Sequence, residues 1–290
     1  MTALYKFIAS PDALRLILNG MVKFTPISEL NDPSELVPTM DPEAVRESLA
    51  RLRLTGYSDE DMSHLRQQGN LLQTLAPRFQ AVPVPATKAE ASRLIRSAFY
   101  DSSSTLEQLL GDTAREMSSK VGLFCLSRRF DSLPMWAHYA ANASGLAVEF
   151  RNLDQVFQGD QTGVLRQLTP VMYQRETSGV TFDPQSHRSL FFAKFQDWSY
   201  EQEMRVVLPL LDCQAHALLG KNLFTWQIPK NCVASLILGW NMKPADRLAV
   251  EDQVRARNPA VMITYAQFSR GKIRVGPAQP ADASQETPRK

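Results

Sequence analysis

The chain has 290 residues, of which 44% are apolar and 21% charged, the composition of a globular protein large enough to bury a sizeable core. A formal net charge of +2 argues neither for nor against a nucleic-acid partner. Three scattered cysteines without a CxxC pair favour free thiols in a reducing compartment, and no apolar run approaches the roughly 18 residues that cross a bilayer. We therefore expect a cytoplasmic protein without a membrane segment.

The N-terminal part of the chain predicts a strand, a helix and a second strand. The strand covers Leu4 to Ile8, and Ser10 with Pro11 opens a helix that stops at the C-cap signal Asn19-Gly20. After the second strand, Asn31-Asp32-Pro33 predicts a turn, since Asn and Asp accept local backbone hydrogen bonds. Asn31, Asp32 and Glu35 could also ligate a metal or a ribose, although turn formation explains the first two adequately.

Two further stretches are not predicted to form strands: a helical insertion and the C-terminal tail. Residues from about 42 to 120 carry leucines at helical spacing and predict a helical insertion without a catalytic motif. The tail 276–290 is rich in Pro, Ala, Gln and Ser and is predicted to be disordered. Residues 1–275 are then expected to form a single α+β domain with a curved, mixed sheet of short strands, because strands and helices follow each other without a regular βαβ rhythm.

The densest set of charges surrounds an apolar run at Val206-Val207-Leu208. These β-type residues predict a strand, and residues two apart on a strand share a face, so Glu201, Glu203 and Arg205 should project together. Lys194 lies on a helix expected from Ser189 to Asp197 and is a candidate either for a partner of a carboxylate or for a phosphate ligand. The simple interpretation is an ion-paired edge strand. The alternative is a site, because neighbouring carboxylates can have their pKa values split.

Histidine and tryptophan side chains supply weaker candidates. His138 follows Trp136 on a short predicted helix and is either a general acid or base or a helix-surface histidine. Trp136 and Trp198 are expected to be core residues or pocket walls. The histidines and cysteines show no metal-ligand spacing.

The order of motifs resembles the bacterial domain-of-unknown-function family numbered 2971. The motifs are Leu4-Tyr5-Lys6-Phe7, Phe24-Thr25-Pro26 with Leu30-Asn31-Asp32-Pro33-Ser34-Glu35, Phe124-Cys125-Leu126-Ser127, Met135-Trp136-Ala137-His138-Tyr139 with Gly145, Val171-Met172-Tyr173, and Lys194 with Trp198-Ser199-Tyr200-Glu201-Gln202-Glu203-Met204-Arg205. The resemblance covers roughly Leu4 to Gly239, and Ser34 departs from it where a large apolar residue is expected. Membership of that family implies no established activity.

A more distant resemblance is to the ADP-ribosyltransferase fold, especially its toxin-like branches. It implies a polar or aromatic residue on a first strand, a Ser or Tyr on a middle strand and a glutamate on a late strand. The matching positions are Tyr5 or Lys6, then Ser127, then Glu203 or Glu201. NAD would then be the substrate, with the carboxylate stabilising an oxocarbenium-like sugar as nicotinamide leaves.

The remaining residues of that implied cleft would hold or enclose the dinucleotide. The expected binding residues are Lys6, Asn31, Asp32, Trp136, His138, Tyr139, Lys194, Trp198 and Arg205. The function expected from this resemblance is ADP-ribosyl transfer or NAD hydrolysis by a toxin or phage-defence effector, with an unknown acceptor and a cognate antitoxin or immunity protein as partner. Two alternatives stay open. One is a metal-dependent nuclease, and the other is a non-enzymatic ligand-binding or sensing module. The carboxylates and the lysine of a magnesium site would be Asp32, Glu35, Glu149, Glu201, Glu203 and Lys194.

Overall fold

A computed structural model describes residues 3–32, 47, 56–75, 84–93, 112, 115–160, 164–175, 191–218 and 221–277. Most of the predicted helical insertion and the tail beyond residue 277 lie outside these ranges. Inside the insertion, the leucines at helical spacing belong in part to a helix at Asp59–Leu75, as expected.

The described strands and helices alternate irregularly along the chain. The strands are β1 (Leu4–Ile8), β2 (Met21–Pro26), β3 (Val121–Ser127), β4 (Leu146–Phe150), β5 (Thr169–Pro170), β6 (Met172–Gln174), β7 (Ala193–Phe195), β8 (Glu203–Pro209), β9 (Gln214–Leu218), β10 (Lys221–Gln227), β11 (Val233–Leu238), β12 (Met262–Ser269) and β13 (Lys272–Gly276). The α-helices are α1 (Leu14–Leu18), α2 (Asp59–Leu75), α3 (Leu133–Tyr139), α4 (Leu153–Val156) and α5 (Pro244–Arg257). This content confirms the α+β class.

The chain divides into two compact units, each assembled from separate segments. Unit 1 comprises residues 1–20, 129–151 and 229–290, and unit 2 comprises residues 21–128 and 152–228.

The sheet of unit 1 has the strand order β13-β12-β11-β4-β1 and is mixed. β11 and β12 are parallel, while the other neighbours are antiparallel. The parallel pair needs a crossover connection, and α5 supplies it between the two strands. In α5, Val250 and Val254 are buried, whereas Leu248 on another side of the helix is exposed.

A left-handed turn follows α3 in unit 1. Ala141, Asn142 and Ala143 have φ angles of 48°, 52° and 62°, a conformation that costs L-residues roughly 1–2 kcal/mol each. Tertiary hydrogen bonds hold it: the backbone N–H of Asn241 donates to the carbonyl of Ala143 at 2.9 Å, and the Asn241 side-chain amide donates to the carbonyl of Asn142 at 2.8 Å. A Cβ on Gly239 would collide with the Ala143 carbonyl, so only glycine permits this close approach.

Unit 2 contains an antiparallel sheet with the order β9-β10-β2-β3-β8-β5. Every residue of β8 is buried, and Val207 belongs to a hydrophobic cluster with Leu123, Phe191 and Phe192. A separate two-stranded parallel sheet pairs β6 with β7, and its register places Tyr173 opposite Lys194.

The helix expected from Ser189 to Asp197 is wrong for the described part of that segment. Residues 191 and 192 are helical, but Ala193–Phe195 form β7, and Gln196–Glu201 form a 3₁₀ helix. Pairing with β6 outweighs the local preference, because short segments take the conformation that their tertiary partners stabilise.

None of the described helices is long and apolar enough to cross a membrane.

Candidate active site: a buried carboxylate network

The predicted charge network lies in unit 2, where the start of β8 pairs with the end of β3. In the antiparallel register Ser127 faces Glu203 and Cys125 faces Arg205. Residues directly opposite each other on neighbouring strands have their side chains on the same face of the sheet. The network therefore continues the buried face on which Val207 packs in the hydrophobic core.

Glu203 and Arg205 form a bidentate ion pair. Arg205 donates from Nε to Glu203 Oε1 at 2.7 Å and from Nη2 to Oε2 at 2.9 Å, and its Nη1 donates to the carbonyl of Phe191 at 3.0 Å. Burial alone would raise the pKa of Glu203, but the charge and hydrogen bonds of Arg205, the charge of Lys194 and a hydrogen bond from the Cys125 thiol lower that pKa to about 2. The carboxylate is thus ionised throughout the physiological range.

Lys194 connects the two carboxylates. Its Nζ lies 2.8 Å from Glu201 Oε2 and 3.5 Å from Glu203 Oε2. The same ammonium lies 4.7 Å from the centroid of the half-buried Trp198 ring, which is within the range of a cation–π contact. Trp198 therefore covers the lysine, as a wall of the predicted site would.

Glu201 reaches the network from a different element than expected. It is the last residue of the 3₁₀ helix Gln196–Glu201, and Gln202 has a left-handed φ of 43° before β8 begins at Glu203. The expectation that Glu201 lies on the strand is therefore wrong, although its carboxylate still meets Lys194. The Ser127 hydroxyl fixes this turn by donating to the carbonyl of Glu201 at 2.6 Å.

Tyr173 is a member of the site that sequence reasoning missed. Its hydroxyl accepts a hydrogen bond from the backbone N–H of Glu203 at 2.8 Å. Burial is the main cause that raises the pKa of Tyr173 to about 12, against the lowering effect of that backbone hydrogen bond. No local sequence pattern signals this contact, because Tyr173 reaches the network through the β6–β7 register, which places it opposite Lys194.

Two positive and two negative groups balance in the network, and all four are nearly inaccessible. The exposed fractions of the Lys194, Glu201, Glu203 and Arg205 side chains are 4%, 5%, 5% and 2%. Buried charges of this kind persist only when they are paired and hydrogen-bonded. The arrangement can hold carboxylates ionised at fixed positions, which is the requirement for electrostatic stabilisation of a cation.

Five of the other predicted site residues belong to unit 1. Tyr5 and Lys6 are half-buried on β1, and burial together with the charge of Glu149 raises the pKa of Tyr5. Trp136 is fully buried, packs against Phe7 and Trp240, and donates from Nε1 to the carbonyl of Phe130 at 2.6 Å, so it is a core residue. His138 is exposed and Tyr139 half-buried at the end of α3.

Asn31 and Asp32 follow the 3₁₀ helix Ile27–Glu29 in unit 2; Asn31 is exposed and Asp32 buried. Within the described ranges, no group of three or more His, Cys, Asp or Glu side chains is arranged to hold a metal ion.

Unit 1 contains the buried carboxylate Glu149. It accepts from Arg151 Nε at 2.6 Å and from Ser235 Oγ at 2.6 Å. Its carboxylate is buried like that of Glu203, but the side chain of its partner Arg151 is 52% exposed, whereas that of Arg205 is 2% exposed. Glu149 is therefore a reference for removing a buried carboxylate outside the network.

Residues 135–206 match the model of one protein family, described as a protein of unknown function (DUF2971). The matched segment begins in α3 and ends in β8, so it includes Tyr173 and the four charged residues but neither Ser127 nor Cys125. The resemblance seen in the sequence from Leu4 to Gly239 is supported over this shorter segment. No match was found among curated proteins or solved structures, and the comparisons give no support for an ADP-ribosyltransferase.

Proposed function

We propose that the chain acts on NAD and transfers its ADP-ribose group to an acceptor or to water. The observation that carries this proposal is the pairing of Ser127 with Glu203 on adjacent strands, with Glu201 attached to the same corner. A serine on a middle strand next to a glutamate on a late strand is the arrangement that the transferase resemblance implies. NAD hydrolysis would break the bond between the ribose and nicotinamide, add water to the sugar and release one proton.

The two carboxylates have different roles in this proposal. Arg205 donates hydrogen bonds to both carboxylate oxygens of Glu203, which holds the charge of Glu203 in a fixed position. Lys194 is a single ammonium shared between both carboxylates, so its contact with Glu201 is the easier one to exchange for a cationic sugar. Glu201 then contacts the developing oxocarbenium, and Glu203 retains Lys194 and Arg205 as its own partners.

Access to the network requires the 3₁₀ helix Gln196–Glu201 to move, because both carboxylates are buried and Trp198 covers Lys194. Helices of this type have poorer hydrogen-bond geometry than α-helices, which lowers the cost of such a movement. Substrate would enter where Trp198 now lies, and the ring would pack against the nicotinamide.

The test is release of nicotinamide from NAD, measured by chromatography with water or cell lysate as the acceptor. We expect Glu201→Gln to lower the rate by about 100-fold or more, the usual effect of removing one stabilising group, because glutamine keeps the size but not the charge. Glu203→Gln should also lower the rate, because Lys194 loses one of its two carboxylate partners. Glu149→Gln is the matched control and should keep the wild-type rate.

Absence of nicotinamide release and of label transfer from wild type with every acceptor would reject the proposal. If Glu201→Gln and Glu203→Gln both release nicotinamide at the wild-type rate, the network does not contain the catalytic residues. Circular dichroism of each variant shows whether a lost rate reflects a lost fold.

A non-enzymatic binding or sensing module is the second candidate, and the closed network favours it. Four mutually paired, buried charges suit a structural element that holds a ligand cleft without reacting. NAD binding in calorimetry without nicotinamide release would select this candidate. The nuclease, the phage-defence role and a cognate antitoxin or immunity protein stay predictions.

A further inference from the structure

The β12–β13 hairpin of unit 1 carries positive charge on one of its faces. Residues 262–277 contain three cations and no Asp or Glu. The cations are Arg270, Lys272 and Arg274, and all three side chains are exposed. Residues two apart on a strand share a face, so Lys272 and Arg274 lie together on β13. Neither forms an ion pair or a side-chain hydrogen bond with a residue in the described part of the chain.

The opposite face of the same hairpin is apolar. Phe268 pairs with Ile273, and Ala266 pairs with Val275, so these four side chains project away from Lys272 and Arg274. Ala266 and Ile273 are buried, whereas Phe268 is 45% exposed and Val275 is 43% exposed. The hairpin therefore has a cationic face and an apolar face, and part of each is open to solvent.

The outer edge of β13 is open as well. In the sheet of unit 1, β13 is the last strand and pairs with β12 alone among the described strands. Arg270 and Gly271 have φ angles of 51° and 73°, the values of a two-residue hairpin turn, after which Lys272 belongs to a hydrogen-bonded pair. Hydrogen-bonded and non-hydrogen-bonded pairs alternate along an antiparallel ladder, so the N–H and C=O groups of Ile273 and Val275 point away from β12. These four backbone groups face the open edge.

We propose that an extended segment of a partner protein, in which acidic and apolar residues alternate, adds to β13 as a further strand. In strand addition, main-chain hydrogen bonds at the sheet edge supply affinity, and the surroundings of alternate side chains supply specificity. Acidic residues of the partner would face Lys272 and Arg274. The apolar residues between them would face Ile273 and Val275 and extend the apolar side of the hairpin. The proposal is independent of the action on NAD.

Charge argues against a second copy of the chain as the occupant of this edge. In a symmetric antiparallel pair of β13 strands centred on residues 272–274, a cation of one copy faces a cation of the other. Like charges directly opposite each other destabilise paired strands, and charged edge strands block self-association in this way. With an acidic partner the same positions are stabilising. They would be non-hydrogen-bonded pairs, in which side chains approach most closely.

The test is fluorescence anisotropy of labelled peptides that contain either Val-Glu-Val-Glu-Val or the scrambled segment Val-Val-Val-Glu-Glu. Both have the same charge, and we expect only the alternating peptide to bind, with an affinity that falls as NaCl rises. Lys272→Glu with Arg274→Glu should weaken this binding by at least about tenfold, because like charges then face each other, and should create binding of Val-Lys-Val-Lys-Val. The control Arg15→Glu with Lys23→Glu reverses two exposed cations elsewhere and should bind like wild type.

Val275 separates strand addition from contact with side chains alone. Val275→Pro removes an N–H that points to the open edge and leaves the hydrogen bonds to β12 intact. Val275→Ala removes the apolar side chain but keeps that N–H. Val275→Pro should therefore bind the alternating peptide about 2- to 10-fold more weakly than Val275→Ala, the contribution of one hydrogen bond.

Four binding results would overturn the proposal: no binding of the alternating peptide by wild type at low salt, equal binding of the scrambled peptide, unchanged binding by the charge-reversed variant, or equal binding by Val275→Pro and Val275→Ala. A wild-type dimer in sedimentation that dissociates on Lys272→Glu with Arg274→Glu would assign the edge to a second copy and also reject it. Since the substituted residues are exposed, each variant should keep a cooperative thermal unfolding transition, which excludes misfolding as the cause.

Discussion

Replacing Arg205 by methionine should destabilise the protein strongly, because it leaves Glu203 buried without its bidentate partner. The lowering of the Glu203 pKa from 4.5 to about 2 corresponds to about 3 kcal/mol at 1.36 kcal/mol per pKa unit. That shift is the net effect of burial, Arg205, Lys194 and Cys125, whereas removing one partner of a buried pair generally costs roughly 3–5 kcal/mol. We therefore expect Arg205→Met to lower the free energy of unfolding by about 3–5 kcal/mol at pH 7, measured by urea denaturation followed by circular dichroism.

The pH dependence of that loss follows from the direction of the shift. A carboxyl whose pKa is lowered by folding contributes stability above its unfolded pKa, and this contribution disappears as the pH falls from about 4.5 to about 2. In Arg205→Met, burial dominates and should raise the pKa of Glu203, so protonation relieves part of the damage. The difference in unfolding free energy between wild type and Arg205→Met should therefore shrink in acid.

Two further variants test the reasoning. Glu203→Gln with Arg205→Met removes both charges and should be about 1–2 kcal/mol more stable than Arg205→Met alone, because no unpaired charge stays buried between them. Arg255→Met breaks an ion pair whose side chains are 76% and 71% exposed and should change stability by no more than about 0.5 kcal/mol. If Arg205→Met is as stable as wild type, the network is solvated and the argument fails.

Three other substitutions give sharp expectations in the same denaturation assay. Ala141→Gly should raise the free energy of unfolding by about 0.5–1 kcal/mol, since glycine relieves the left-handed φ at a smaller entropic cost; a loss would show that this residue is unstrained. Gly239→Ala should lower it by at least about 1–3 kcal/mol, because the new methyl meets the Ala143 carbonyl, and a neutral effect would contradict that close approach. Tyr173→Phe should cost about 1–3 kcal/mol by leaving the Glu203 N–H unpaired, and an unchanged stability would mean that water replaces the hydroxyl.

The charge network is the part of the site that the sequence reveals. Lys194, Glu201, Glu203 and Arg205 lie within twelve positions, and the β-type residues after Arg205 predict the strand that places Glu203 and Arg205 on one face. Buried charges persist only when they are paired, which predicts that these four side chains associate. The N···O distances of 2.7–3.5 Å between them confirm this prediction. Their role in catalysis stays a prediction.

What the sequence does not reveal depends on contacts between distant segments. Tyr173 enters the site only because β6 pairs with β7, and no local pattern encodes that register. Gln202 adopts a left-handed φ although it is not a glycine, so the sequence gives no signal for this bend. The bend places Glu201 before the strand rather than on it. The position of Trp136 is a further example. From the sequence, an aromatic residue in a dense motif can be a pocket wall or a core residue. The contacts of Trp136 with the rings of Phe7 and Trp240 show that it is a core residue.

The left-handed turn at residues 141–143 bears on the order in which unit 1 folds. Alanine has no local preference for this conformation, so the turn depends on Asn241, which lies 99 positions beyond Asn142 in the chain, and on the approach of Gly239. These contacts join segments about 100 positions apart, so we expect the turn to form late, after β4 and β11 have paired, and its interactions to be absent from the transition state. Substitutions there should change the unfolding rate and leave the folding rate almost untouched. We therefore expect residues 141–143 to influence the lifetime of the folded unit rather than its folding rate.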